Sequence, residues 1–420
     1  DFSTVTAHFT VNFKELSGNL VIEEDSYFEK TISDMVLPFE AAERLIQIYT
    51  NKKVLKSNAL GRTDIAGYSV DGKASLLGML HGFWIRGFSS TDEVFKPLTT
   101  NLKEFMESFS TTQNLGLGIE SNGFKEYVRI EELSYFYNRN VTIKLPNQVK
   151  KVKRYTSTDY SYSAIEIGFE KGGSYEEAFG LVEYNGISKF STEIKKHKNV
   201  YSKIAKYRTD PYGIEFPRRK QKLTHSTTDT QYDTDNYLTD LKRSITGLFK
   251  LRKWQDDFSQ LPTGTFSPET AYNLRLSPFN CLLRHGWVIG SGLTKYLSDF
   301  VRYTSSTANS NLSTKLRTDS QYLLDPLHSV ANGNEYAENG NIVNSELQRA
   351  RYLSKIIEFE HEVDFDVNQM IYGRTTVLGN EIPNIYGRVE FINELGEPEK
   401  GYLLSVKPNG NGKFKILKSN

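Results

Sequence analysis

The sequence predicts an α+β protein, mainly β, folded as several domains with a helical insertion. Three observations predict it. Apolar and polar residues alternate across much of 126–245 and again beyond residue 351, the pattern of half-buried strands. Tyr, Phe and Trp make up 13% of the chain, and such rings suit pleated surfaces. At 420 residues the chain is long enough for about two to four domains. The segments read as a mixed α/β domain over 1–125, a β-rich domain over 126–245, a helix- and loop-rich segment over 246–350 and a C-terminal β domain over 351–420.

The N-terminal segment holds one clear helix. Pro38 fits a first turn, and Phe39, Ala42, Leu45, Ile46 and Tyr49 follow helical spacing. Beyond it, Asp71-Gly72 predicts a turn between two strands. Glycines at 61, 67, 72, 78, 82 and 87 predict tight turns and bulges there. Val128 and Ile130, then Val141, Ile143 and Leu145, then Ala164, Ile165, Ile167 and Phe169 predict strands. Short helices are expected near SYEEAF and NVYSKIAKY, and YLTDL at 237–241 reads as the last strand of its segment. The stretch 255–270 is polar and turn-rich.

Ser277 then caps a helix with Pro278 at its first position. Its stripe is Phe279, Leu282, Leu283, Leu293, Tyr296, Leu297 and Phe300, and Gly286, Gly290 and Gly292 predict a break or close packing. Residues 303–345 read as loop. The end of the chain returns to β: IIEFEHEV alternates, and VEFIN, YLLSV and KFKIL form two hairpins.

Composition excludes several classes. Hydrophobic residues at 38% and charged residues at 25% exclude wholesale disorder. Thirty Gly and 12 Pro are too few for collagen or a low-complexity linker. A net charge of +1 does not mark a globally basic nucleic-acid binder. The single Cys281 allows no internal disulfide and no multi-Cys metal site, and it reads as a buried thiol. The apolar run Leu76 to Ile85 is broken by Gly78, His81 and Gly82 and is far short of the ~18 residues that span a bilayer. The start, DFSTVTAHFT, lacks an initiator Met and does not read as a signal peptide.

Linear catalytic motifs fail one by one. Gly116-Leu117-Gly118 begins a dinucleotide-like pattern, but Ser121 stands at the third glycine position. His361-Glu362 opens a zinc signature, but Phe365 replaces the second ligand. Asp364, Asp366 and Asn368 begin a calcium-loop pattern, but Gln369 replaces its glycine and Thr375 its glutamate. The histidines show no metal spacing. Catalytic sets assembled in space need no linear spacing and stay open here, as do paired carboxylates.

Two charge features remain. Residues 195–222 carry Lys195, Lys196, Lys198, Lys203, Lys206, Arg208, Arg218, Arg219, Lys220 and Lys222 against Asp210 and Glu215, a local charge of +8. Such a run is either a solvated face or a surface that meets DNA or an acidic partner. Conversely, Glu358, Glu360, Glu362, Asp364 and Asp366 occupy every second position. In a strand all five would share one face, opposite Phe359, His361, Val363 and Phe365. Their mutual repulsion calls for cations on a neighbouring strand or subunit, with 195–222 of another copy as one source. On charge clustering the candidate subunit contacts are Arg218, Arg219 and Lys220 on one side and Glu358, Glu360 and Glu362 on the other.

Several pieces carry a resemblance. They are LGRTDIAGYSVDG, EEAFGLVEYNGISKFSTEI, YRTDPYGIEFPRRKQ, TTDTQYDTDN, LRLSPFNCLLRHGWVIGSGL and GYLLSVKPNGNGKFKIL. Together they resemble the tail-hub or baseplate-hub proteins of tailed bacteriophages and prophages of gut-type bacteria, from about residue 55 to the end. The shared pieces are structural rather than catalytic. The resemblance implies a structural virion protein of the tail, not an enzyme, with no cofactor. It implies β-barrel domains, the C-terminal segment completing an earlier barrel. It also implies a homo-oligomeric ring that joins the tail channel to distal tail proteins, with DNA passing through without specific binding. Two other functions fit the aromatic-rich composition and the abundant acids: a receptor- or glycan-binding tail tip, and a cell-wall or polysaccharide hydrolase.

Overall fold

The computed structural model describes residues 31–92, 96–170, 187–192, 194, 196–220, 231–252, 273–290, 300–306, 342–343, 347–377, 379–407 and 411–420. The chain begins with α1 (Pro38–Thr50), β1 (Leu55–Lys56), β2 (Leu77–His81), α2 (Gly82–Ile85) and α3 (Leu102–Gln113). Then come β3 (Leu115–Asn122), β4 (Lys125–Glu132), β5 (Val141–Gln148), β6 (Lys150–Thr156), β7 (Ala164–Phe169), β8 (Ile187–Ser191) and β9 (Val200–Ala205). Helices α4 (Pro211–Lys220) and α5 (Gln231–Thr234) precede β10 (Asn236–Arg243) and β11 (Phe249–Leu251). Helices α6 (Pro278–Arg284) and α7 (Gly286–Ile289) precede β12 (Phe300–Ser306), β13 (Ile342–Val343) and β14 (Tyr352–Glu362). The chain ends with α8 (Phe365–Tyr372), β15 (Arg374–Val377), β16 (Asn380–Pro383), β17 (Arg388–Ile392), β18 (Pro398–Lys407) and β19 (Asn411–Ser419).

The protein is mainly β, as expected, in several sheets. Their strand orders are β1-β4-β3, β11-β10-β2, β13-β12-β8-β7-β9, β5-β17-β18-β19-β14-β6 and β15-β16. Among the described residues no sheet closes on itself as a barrel. These elements belong to one unit, Ile32–Asn420. No helix among them is long and apolar enough to cross a membrane.

Local sequence explains most elements. Pro38 starts α1, and Asn51 ends it in the left-handed region at φ 54°. In α3, the Asn101 side chain accepts the Glu104 N–H at 2.9 Å and Asn114 closes the helix at φ 52°. The Ser277 hydroxyl accepts the Asn280 N–H at 3.2 Å, and the helix breaks at His285 just before Gly286. The C-terminal hairpins fall as expected on β17, β18 and β19. Asn393 sets the first turn, its side-chain oxygen accepting from Leu395 N and Glu397 N.

Among the described residues three large apolar cores result, beside a smaller one of Leu80, Ile85, Ile214 and Tyr237. One joins α1, α3, β2 and β4 through Leu45, Ile46, Phe105, Phe109, Met79 and Ile130. A second gathers Ile165, Ile167, Cys281, Leu282, Trp287 and Tyr352 between the five-stranded sheet, α6–α7 and β14. The third packs Val367 and Ile371 of α8 on Ile143, Phe359, Phe391 and Phe414 of the six-stranded sheet.

Four expectations are corrected. NVYSKIAKY is not helical: it forms β9, paired parallel with β7. Asp71-Gly72 does not join two strands. It lies in a folded loop where Gly72 N–H bonds Gly61 O and the Asp71 carboxylate accepts from Thr63 N. YLTDL forms β10, the last strand within 126–245 as expected, whereas 303–345 is not all loop: residues 303–306 belong to β12 and 342–343 form β13. The acidic strand ends at Glu362, so the five carboxylates do not share a face. Asp364 instead caps α8, its side chain accepting from Val367 N at 2.8 Å, and Phe365 is exposed. SYEEAF, the 255–270 stretch, Leu293, Tyr296, Leu297 and most of the 303–345 loop lie outside the described residues.

Gly72 yields a prediction. A Cβ there would collide with the backbone oxygens of Asn58 and Ala59. Gly72→Ala is expected to cost on the order of 2–4 kcal/mol, measured as a lowered urea midpoint with unchanged m-value.

Candidate functional site

The acidic strand finds its cations inside the chain. On β14, Glu358 lies between Lys153 of β6 and Lys415 of β19. Its carboxylate accepts the Tyr155 hydroxyl at 2.7 Å and lies 3.8 Å from Lys415 Nζ. Glu360 lies between Lys150 and Lys413 and pairs with Lys151 at 2.8 Å. That ammonium holds the Glu360 carboxyl below its ordinary range. Glu362 stands exposed opposite Asn411. Alternating charges across neighbouring strands thus relieve the repulsion. The cations come from β6 and β19, not from 195–222.

Part of the basic run is committed as well: Lys206 pairs with Glu170 and Arg208 with Asp210 and Asp235. Arg218 on α4 pairs with Glu215 at 2.8 Å. Arg219 and Lys220 end the same helix, and their side chains lie outside the described part, as do Lys195 and Lys222. The geometry does not bring Arg218 to Glu358, Glu360 or Glu362 within the chain, since none of the ion pairs among the described residues joins them.

Arg208 is buried at the centre of an ionic cluster. It forks onto Asp210 at 3.0 and 2.8 Å and reaches Asp235 at 3.3 Å. Its guanidinium carbon lies 4.6 Å from the Tyr232 ring centroid. Asp210 also accepts the Gly213 N–H at 2.9 Å, so one carboxylate caps α4 and holds Arg208. Beside it, Arg86 and Asp233, both wholly buried, approach to 3.3 Å. Every carboxylate here is answered by a guanidinium, so the cluster orders the fold.

The other motifs are structural as well. His361 is buried, with its ring nitrogens against the carbonyls of Glu362 and Pro146. Cys281 is buried as expected, its Sγ 3.4 Å from Leu276 O. A hollow of about 560 Å³ lies beside Glu131 and Arg351. There Glu131 accepts from Asn58 N and Ala59 N, and Arg351 donates to Ser134 O and Tyr137 O. Among the described residues no group of three or more His, Cys, Asp or Glu side chains is placed to hold a metal ion.

A different place carries uncommitted chemistry. A groove of about 600 Å³ runs between α3, β3 and β9, lined by Met106, Ser110, Leu115, Leu117, Lys203 and Ile204, among others. The Lys203 ammonium, half-buried, donates to Ser110 Oγ at 3.0 Å. Burial pushes its pKa down, with no carboxylate opposing the shift. Beneath it, buried His285 has Nδ1 2.8 Å from Tyr201 Oη and Nε2 2.9 Å from Thr111 O. The carbonyl can only accept, so Nε2–H donates to Thr111 and the Tyr201 hydroxyl donates to Nδ1. Burial pushes the imidazole down to about 3 and fixes it neutral.

Along β3 the groove opens onto an apolar stripe. Leu117 is 43% and Ile119 70% exposed, and Phe124 at the hairpin tip is fully exposed. Gly116 and Gly118 point the other way, where any side chain would meet the Phe136 ring. The Gly-x-Gly that suggests a dinucleotide loop is therefore a strand clearing space for aromatic packing. Sequence reasoning missed the groove, since its walls come from residues about 90 positions apart.

None of the family models, curated proteins or solved structures compared with the chain matches it.

Two predictions follow from buried charge. Arg208→Met leaves Asp210 and Asp235 buried without their cation and is expected to cost about 3–5 kcal/mol; chemical denaturation measures it, and a loss below about 1 kcal/mol would contradict the clamp. His285 is depressed in the folded state, so its stabilisation is present above the unfolded pKa near 6.5 and is lost as pH falls. Between about pH 6 and 4, His285→Asn should lower the pH slope of unfolding free energy by about 1.4 kcal/mol per unit.

Proposed function

We propose that this chain is a structural subunit of a phage tail, a hub or baseplate component that assembles as an oligomeric ring and joins the tail channel to distal tail proteins. Its work is assembly rather than turnover of a substrate, and its place is the virion tail. The observation that carries the reading is the β3–β4 hairpin. It presents Leu117, Ile119 and Phe124 on the open edge of a three-stranded sheet. Soluble proteins blunt such edges with charge or cover them, and an apolar edge marks a contact with another chain. The sequence resemblance supplies the kind of assembly. In this reading barrel closure and the ring belong to the oligomer, and DNA passes the channel without specific contacts. Arg218, Arg219, Lys220, Glu358, Glu360 and Glu362 stay candidates for rim contacts, which set orientation more than affinity.

Particle mass tests the proposal. Wild-type protein should form a defined oligomer or co-assemble with tail proteins. Ile119→Thr with Phe124→Ser should shift it to monomer by at least about tenfold in dissociation constant, since losing two buried apolar side chains removes a few kcal/mol. Circular dichroism should not change, because both residues are exposed. A wild-type chain that stays monomeric and binds a glycan array, or clears a cell-wall suspension, would contradict assembly in favour of a receptor-binding tip or a hydrolase.

A further inference from the structure

We propose that the groove between β3 and β9 accepts an extended segment of another chain that carries a carboxylate between apolar residues, and that this segment adds a strand to the β3 edge. The inference rests on the assembly reading for where the segment comes from.

Four observations carry it. First, among the described residues β3 and β9 are both last in their sheets, so the groove lies between two strand edges with α3 beneath. Second, the outward backbone of these walls is open. Beyond their ladders with β4 and β7, no backbone hydrogen bond of Leu115–Leu117 or Ser202–Ile204 occurs among the described residues. Edges of this kind pair with an incoming strand when one is supplied. Third, the lining sets Met106, Leu115, Leu117, Leu133 and Ile204 beside three charges, Glu107, Lys203 and Lys206, and among the described residues Lys203 makes no ion pair. Lys206 is held by Glu170 at 2.8 Å and Glu107 lies 3.8 Å from Lys103. Among the described residues Lys203 has the Ser110 hydroxyl and the Tyr201 ring, 5.8 Å from its ammonium, but no carboxylate, and burial lowers its pKa. A carboxylate brought there would meet a half-buried ammonium, and a charge-assisted bond is stronger than a neutral one. Fourth, the groove continues into Leu117 and Ile119. A strand lying along β3 would place alternate side chains over that stripe while its carboxylate faces Lys203.

The volume of about 600 Å³ also suits a small apolar carboxylate, and the test separates the two. The probe is an acetylated, amidated heptapeptide of alternating valine and threonine with a central glutamate, titrated calorimetrically into the full chain. Saturable binding is expected. Glutamine in place of the glutamate should weaken it at least tenfold against wild type, and no further against Lys203→Met. N-methylation of alternate backbone amides should abolish it. Absent saturation, indifference to the glutamine change, or tolerance of N-methylation would overturn the proposal. So would octanoate binding as tightly as the peptide, which would assign the groove to a small molecule. These arms need only the wild-type chain, so they decide even if Lys203→Met fails to fold. Peptide binding without an oligomer would keep this inference and remove the assembly reading. An oligomer without peptide binding would do the reverse.

Discussion

The buried fork of Arg208 on Asp210 and Asp235 is the contact on which the rest of the site depends. It lies three residues beyond the end of β9. Arg208 N–H bonds Asn236 O, and Leu238 N–H bonds Arg208 O, so the segment is stitched to β10 by backbone as well as charge. β10 in turn pairs with β2 of the N-terminal segment. The clamp therefore fixes where β9 leaves its sheet. Ser108 of α3 reinforces this, its hydroxyl accepting from Lys206 N and Tyr207 N. With its C-terminal end held, β9 lies beside α3 and opposite β3, and among the described residues its outer backbone edge has no ladder partner. Pairing the buried charges within the chain is costly in desolvation but defines one register.

Charge is distributed by the same economy. Among the described residues, much of the acidic run and part of the basic run that stand out in sequence are answered within the chain. Glu358 and Glu360 lie between lysines of β6 and β19, and Arg208 and Arg218 each take a local carboxylate. Lys203 differs, because its position on β9 turns it toward α3, where Ser110 offers a hydroxyl and no charge. A half-buried cation of that kind marks a place where the fold leaves electrostatic free energy for an incoming group.

What was legible in the sequence was local. Strands β4, β5, β7, β14 and β17–β19 follow from alternation, α1 from Pro38 and its stripe, and α6 from the Ser277 cap. Helix α3 carries readable signals too: Asn101 at its cap and Leu102, Phe105, Met106 and Phe109 at helical spacing. β9 misleads because Val200, Tyr201, Ile204 and Tyr207 also fit a helix. Pairing with β7 overrides that pattern, burying Tyr201 and Ala205 on one face. Asp71-Gly72 misleads because a strong turn dipeptide serves equally in a loop packed against Asn58 and Ala59. The groove was not legible at all. Lys203 is one of ten basic residues in its run, and only the tertiary fold separates it from the others.

The central claim is that the β3 edge is built to be covered by another chain. Amide hydrogen exchange at Leu115, Leu117 and Ile119 tests it most directly, compared between the isolated chain and the assembled particle. The account predicts fast exchange at the outward-facing amides of the isolated chain and protection by at least about a hundredfold on assembly, the signature of a new ladder. Equal exchange in the two states, with protection appearing elsewhere, would contradict it.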